Sequence, residues 1–254
     1  MWRKLFIHLF FLLSIPCFTF SQGSDSTKVV SNFGGAVTVT NNGISFIPTF
    51  SLGKPAAIFD MTVGRKLSFE PQFRFALEGK PWSFVFWWRY KLLKTNKVAV
   101  SLGAHPAIIF RTITDTTNGV SQEIIRAQRN AAAEISPNYY LTKDISIGTY
   151  YLYGHSFEKD VIRNVHYLTL NANFSNIRLP YRFYLKFNPQ VYYLKMDDED
   201  GFYFSTVITL ANRKLPLSIS TLMNKIIQTN ITASDNFVWN VSLIYSFNKK
   251  YVEQ

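Results

Sequence analysis

Apolar and polar side chains alternate with a period of two residues along the segment 81–91. One set reads Trp82, Phe84, Phe86, Trp88 and Tyr90, and the set between them reads Ser83, Val85, Trp87, Arg89 and Lys91. Successive side chains of a strand point to opposite faces, so this segment predicts a strand with one aromatic face and one mostly polar face. The same pattern recurs about a dozen times along the chain.

An aromatic outer face opposite Arg, Lys, Glu and Gln is typical of a closed sheet whose outside meets lipid and whose inside is wet. The sequence therefore predicts an all-β protein, an antiparallel transmembrane β-barrel. A soluble sandwich or a lipocalin-like barrel also fits alternation alone, because such folds hide their apolar face. The content of 5 Trp, 14 Tyr and 23 Phe favours the membrane barrel, since many tyrosines fall near predicted strand ends, where interfacial aromatic girdles lie.

Twelve strands are predicted, with ten or fourteen as alternatives. They cover 44–52, 56–64, 67–78, 82–93, 97–111, 122–139, 145–156, 161–174, 180–195, 201–211, 215–227 and 236–248. A tilted spanning strand needs about 9–11 residues, which these lengths reach or exceed. An even number of strands places both termini on the same side of the membrane.

The first 21 residues are typical of a removable signal peptide. Arg3 and Lys4 precede an apolar run that ends at Phe20, and the small residue Ser21 lies at the expected cleavage point. The chain then divides into a leader (1–21), a polar N-terminal lead-in (22–43), the barrel (44–248) and a C-terminal tail (249–254). Residues 36–40 of the lead-in are a possible short edge strand. Cys17 would leave with the leader, so the mature chain would have neither disulfides nor thiolate metal sites.

The connections between the predicted strands differ in kind at the two ends of the barrel. Those after the even-numbered strands are short and basic, such as 64–66 and 212–214, whereas most of the others are longer or acidic. The last strand, which alternates from Phe237 to Phe247, resembles the closing strand of bacterial outer-membrane barrels in general. This resemblance is to an architecture, and it implies a location in the outer membrane with its lipids as partners.

The inward-facing positions of the predicted strands carry eight Arg or Lys residues and three acids. One set places acids beside bases and is expected to form a lumenal charge network: Asp60, Glu70, Arg74, Arg89 and Glu134. A second set, Arg163, Arg182 and Lys186, has no inward-facing acid beside it on the predicted strands. These residues are candidates for selecting anionic solutes. The carboxamide side chains at inward-facing positions include Asn171, Asn173, Asn188 and Gln190.

These features predict a channel for small, preferentially anionic solutes. A lipid-modifying hydrolase and a structural barrel with a plugged lumen are the alternatives. One twelve-stranded phospholipase family keeps a Ser/His/Asn set on its outer face, but neither His155 nor His166 belongs to a His-x-Ser pair that would share a face of a strand. No catalytic residue, metal site or cofactor is predicted. No nucleic-acid partner is predicted either, because the basic residues are divided between lumen and turns.

Overall fold

The computed structural model describes residues 30–45, 47, 50–117, 120–159, 161–232 and 235–252. These residues form twelve antiparallel strands that close into one barrel, as predicted, each strand pairing with its chain neighbours and the first with the last. The strands are β1 (Val30–Thr40), β2 (Ala56–Gly64), β3 (Leu67–Ala76), β4 (Pro81–Lys94), β5 (Val98–Thr117), β6 (Val120–Tyr140), β7 (Ile145–Ser156), β8 (Asn164–Arg178), β9 (Phe183–Met196), β10 (Glu199–Asn212), β11 (Leu217–Thr229) and β12 (Phe237–Val252).

The first and last strands depart from the predicted boundaries. β1 lies inside the expected lead-in, and the described residues of 44–52 belong to the connection between β1 and β2, so the strand predicted there is wrong. The possible edge strand over 36–40 is part of β1, which is longer and has no free edge, because it pairs with both β12 and β2. β12 continues to Val252, into the expected tail. The predicted leader over 1–21 lies outside the described residues.

Side chains alternate between an exposed apolar outer surface and a covered interior. On β8 the outward Leu168 and Leu170 are 48% and 54% exposed, whereas the inward Tyr167 and Thr169 are 5% and 3% exposed. Outward leucines, valines and aromatics repeat this pattern on the other strands. An apolar surface this extensive is unfavourable in water and suits contact with lipid. Among the described residues, no helix has the length and apolarity needed to span a membrane.

Trp82 is an exception to the predicted phase of β4. The pairing of β3 with β4 shifts register between Arg74 and Phe75, which breaks the strict alternation at this point. Trp82 is therefore 3% exposed, with its ring beside the Arg74 guanidinium and its indole N–H donating to the Phe50 carbonyl oxygen. The aromatic face predicted for this strand begins at Phe84.

The two ends of the barrel differ in their connections. We call the end that carries the start of β1 and the end of β12 the terminal end, and the other the loop end. Connections at the terminal end carry basic residues, among them Arg65, Lys143 and Arg213. At the loop end, Ile47 of the connection 41–55 packs into the barrel and contacts buried lumenal residues. β5 and β6 extend beyond their neighbours, so residues 110–117 of β5 and 120–129 of β6 pair mainly with each other.

Candidate functional site

The barrel interior contains a cavity of about 540 Å³. Inward side chains of the strands from β3 to β9 line it, together with Ser45, Ile47 and Phe50 of the connection 41–55. At the loop end it is lined by Ser156 and Arg163, and towards the terminal end by Asn138 and Asn173. A single cavity thus extends along much of the lumen.

The centre of one lumenal wall is an ion-pair network. Arg89 on β4 bonds to Glu70 on β3 through Nη1 and to Glu134 on β6 through Nε, the latter at 2.6 Å. Glu134, whose side chain is 3% exposed, also accepts a hydrogen bond from the Tyr150 hydroxyl at 2.6 Å. The Arg89 guanidinium lies 4.2 Å from the centre of the Trp87 ring. Two carboxylates therefore surround one half-buried cation, and this wall presents little free positive charge to a solute.

Gly103 makes the contact between Arg89 and Glu134 geometrically possible. It lies on β5, between the two strands that carry the pair, and it is the register partner of both residues. A Cβ atom at this position would lie 2.6 Å from Glu134 Oε1 and 2.8 Å from its Cγ. The absence of a side chain on the intervening strand therefore leaves the space that the carboxylate occupies.

Replacement of Gly103 by alanine is expected to destabilise the barrel by about 1–3 kcal/mol, because the new methyl group displaces a buried, paired carboxylate. Gly154→Ala is the matched control, since the nearest atom outside its chain neighbours, Val165 Cβ, would lie 3.7 Å from the new Cβ. Urea unfolding of the refolded barrels measures both free energies. Equal stabilities of the two variants would contradict this role for Gly103.

The other two members of the predicted network, Asp60 and Arg74, also face the lumen. Arg74 donates to Gln72 Oε1 at 2.8 Å and lies over the Trp82 ring, and its attraction to Asp60 is electrostatic. The predicted network thus divides into a directly bonded group around Arg89 and a looser group around Arg74.

The three candidate selectivity residues lie in different places. Arg163 precedes β8 and lines the cavity at the loop end. Lys186 is an exposed residue of β9, opposite Thr209 on β10. Arg182 was expected on a strand, but it lies in the 3₁₀ turn Pro180–Arg182 with a φ of 67°. The sharp turn ends β8 and delays the start of β9, which places Arg182 at the terminal rim.

Arg163 also has an acidic neighbour, which the alternation of inward and outward residues could not reveal. The backbone N–H groups of Arg163 and Asn164 each donate to the Asp197 carboxylate at 2.8 Å. Partial burial opposes ionisation of Asp197, but these hydrogen bonds outweigh it and lower its pKa below the ordinary value. The expectation that Arg163 stands apart from acids is therefore wrong, because the connection between β9 and β10 brings Asp197 beside it.

A chain of carboxamides covers another wall of the cavity. Asn188 donates to Asn173 at 2.6 Å, Asn173 to Asn171 at 3.0 Å, and Asn171 to the Thr169 hydroxyl at 3.3 Å. Gln190, beside Asn171 on β9, donates to the Tyr167 hydroxyl at 3.4 Å. We call Asn171, Asn173, Asn188 and Gln190 the amide wall. The alternation in the sequence predicted that each of them faces inward. Which amide bonds to which depends on the register between the strands, which the sequence does not show.

Towards the loop end, the lumen beside the cavity is filled by a mainly apolar cluster. Its buried members, which we call the lumenal cluster, are Val165, Tyr167, Tyr192, Leu194, Met196, Tyr203 and Ile231. The rings of Tyr192 and Tyr203 stack at 4.8 Å, and Ile47 of the connection 41–55 packs against the cluster. The cluster narrows the lumen at this end.

His155 and His166 lie near the loop-end rim. His166 Nδ1 is 2.9 Å from the Tyr151 hydroxyl, and His155 Nδ1 is 3.1 Å from Asn164 Oδ1. Neither of these partners is a serine nucleophile. Within the described part of the chain, no three His, Cys, Asp or Glu side chains are grouped closely enough to hold a metal ion.

Solved structures with a similar fold are bacterial outer-membrane barrels. The KdgM porin, solved in complex with disordered oligogalacturonate, matches with a TM-score of 0.50 and 9% identity over 85% of this chain and 99% of that one. The NanC porin gives 0.49 and 11% over 87% and 100%, and an outer membrane channel of Pseudomonas putida F1 gives 0.49 and 9% over 87% and 95%. Neither the protein-family models nor the curated proteins match the sequence. The predicted resemblance to this architecture is confirmed.

Proposed function

We propose that this chain is an outer-membrane channel for small polar solutes, with a preference for anions among charged ones. The observation that carries the proposal is the cavity of about 540 Å³ that extends along the lumen inside a closed barrel with an apolar outer surface. Most polar groups that line it are amides and hydroxyls. Such a lining lets a hydrated solute exchange water for protein hydrogen bonds as it passes.

The preference for anions would arise near the ends of the lumen. In its interior, Arg89 is offset by Glu70 and Glu134. Arg163 lies at the loop-end mouth, while Lys186 and Arg182 lie towards the terminal end. Screening over about 10 Å at 0.1 M salt leaves such charges effective across a narrow opening.

Replacement of both Arg182 and Lys186 by glutamate is expected to shift the reversal potential of the channel towards cations, because two cations near one opening become two anions. Planar bilayers with a salt gradient measure this shift. Lys249→Glu is the control, since Lys249 lies on β12 in the outward phase at the same end. Unchanged selectivity in the double variant would show that these side chains do not select ions, and absence of current from the folded wild-type barrel would refute the channel itself.

A structural barrel with a plugged lumen is the second candidate. The lumenal cluster favours it, because buried Leu194, Tyr203 and Ile231 occupy space that an open pore would leave to water. A folded barrel that carries no current in bilayers and admits no small solute into vesicles would support this function over the channel.

A further inference from the structure

We propose that the amide wall is a binding site for uncharged, hydroxyl-rich solutes of the carbohydrate class. This inference rests on the proposed function, because it names the kind of solute that the channel would take up. The site is formed by inward faces of β8 and β9, and all four of its residues line the cavity.

The chemistry of the wall matches hydroxyl groups. Each carboxamide has two N–H donors and an oxygen acceptor, so one side chain can both donate to a hydroxyl and accept from it. In the hydrogen bonds of the described residues, Asn171 and Asn173 each use one N–H and one oxygen lone pair along the chain of amides. A further donor and a further acceptor lone pair on each side chain remain for a solute.

The spacing along β8 suits a solute with repeated hydroxyls. Asn171 and Asn173 are two residues apart on one face of the strand, which corresponds to about 6.5 Å at the usual rise. Asn188 and Gln190 repeat the same spacing on the paired strand. Hydrogen bonds within the wall hold the amides in fixed orientations, so binding would cost little side-chain entropy.

The charge around the wall favours a neutral ligand. None of its four residues ionises, and the three cations that line the cavity have acids beside them. Arg89 is bonded to two carboxylates, Arg74 is attracted to Asp60, and Arg163 lies beside Asp197. Tyr150 and Tyr167 line the same cavity and add ring surface beside the amides. Its volume of about 540 Å³ lies within the range of small-molecule sites.

The test uses maltotriose, a neutral trisaccharide, as the probe of the full-length barrel in planar bilayers. We expect maltotriose to interrupt the ion current with saturable dependence on concentration. Polyethylene glycol of the same hydrodynamic size, which lacks hydroxyl donors along its chain, should reduce the current only by exclusion. Equal interruption by both probes would overturn the proposal, because it would show sieving without recognition.

Variants of the wall make the test specific. Asn171→Leu combined with Asn173→Leu keeps the approximate side-chain volume and is expected to weaken maltotriose binding about tenfold, the loss of one to two hydrogen bonds. Asn130→Leu, in a cavity residue of β6 outside the wall, should change affinity less than twofold. Heat-modifiable migration on gels shows whether each variant is folded. If the double variant does not fold, Asn173→Leu alone is tested in its place. Wild-type affinity in the folded wall variant would overturn the site.

Calorimetric titration of the detergent-solubilised barrel with maltotriose separates this inference from the channel. Saturable binding by a barrel that carries no current would support the site while refuting the channel. Current without saturable maltotriose binding would refute the site and leave the channel intact.

Discussion

Replacement of Arg89 by methionine is expected to lower the free energy of unfolding of the barrel by about 3 kcal/mol. The substitution leaves Glu134, with a side chain 3% exposed, without its cation, and Glu70 loses the same partner. A buried carboxylate without a counter-ion keeps the full cost of its desolvation. Urea unfolding in the presence of lipid vesicles measures the loss.

Two further variants separate the buried network from ordinary ion pairs. Arg89→Met combined with Glu134→Gln should recover part of the loss, because a neutral amide can still accept the Tyr150 hydroxyl without a charge to stabilise. Lys54→Met removes the exposed pair with Glu78 and is expected to cost less than about 1 kcal/mol. A loss in Lys54→Met equal to that in Arg89→Met would contradict a special role for the network.

Replacement of Leu170 by arginine is expected to destabilise the barrel in a bilayer by about 2–4 kcal/mol, the cost of a charge on the lipid face near mid-depth. Leu170 lies near the middle of β8 and is 54% exposed on the outward face. In a soluble barrel the same substitution would replace an exposed apolar group by a charged one at little cost. Its effect therefore reports what the outer surface contacts.

Asn171→Arg is the matched control for this position. Asn171 is the next residue along β8 and faces the cavity, where an arginine could reach lumenal water. We expect it to cost less than half of the loss in Leu170→Arg, measured by the same urea titration. If the inward variant were the more destabilised, the assignment of faces on β8 would be reversed.

The sequence predicted the closed sheet and, for most strands, which side chains face the lumen and which face outward. This was possible because period-two alternation is a local signal. On β8, for example, alternation alone assigns Leu168 and Leu170 outward and Asn171 inward, and the structure agrees. The first strand was anticipated only as a possible short edge strand over 36–40, because β1 contains Gly34 and Gly35 and its full length is defined by pairing with distant β12. The mixed apolar run over 44–52 suggested a strand instead, although Pro48 lacks the N–H that a central strand needs.

The site was predicted less completely, because its contacts depend on register between strands. Phasing placed Arg89 and Glu134 in one lumen, but their contact across β5 depends on the alignment of Gly103 between them. Trp82 was assigned outward because the alternation of apolar and polar residues along the sequence does not show the register shift between β3 and β4. The acid beside Arg163 comes from the turn after β9, 34 residues away along the chain.

Thiol accessibility measures most directly whether the two faces of the barrel meet lipid and water. The chain has one cysteine, Cys17, in the expected leader, so a cysteine introduced into the mature barrel would be its sole thiol. With the barrel in lipid vesicles, Asn171→Cys is expected to react with a charged, membrane-impermeant methanethiosulfonate reagent. Leu170→Cys should stay unmodified by that reagent while reacting with a lipid-soluble maleimide. Reaction of Leu170→Cys with the charged reagent, together with protection of Asn171→Cys, would contradict a lipid-facing outer surface and a wet lumen.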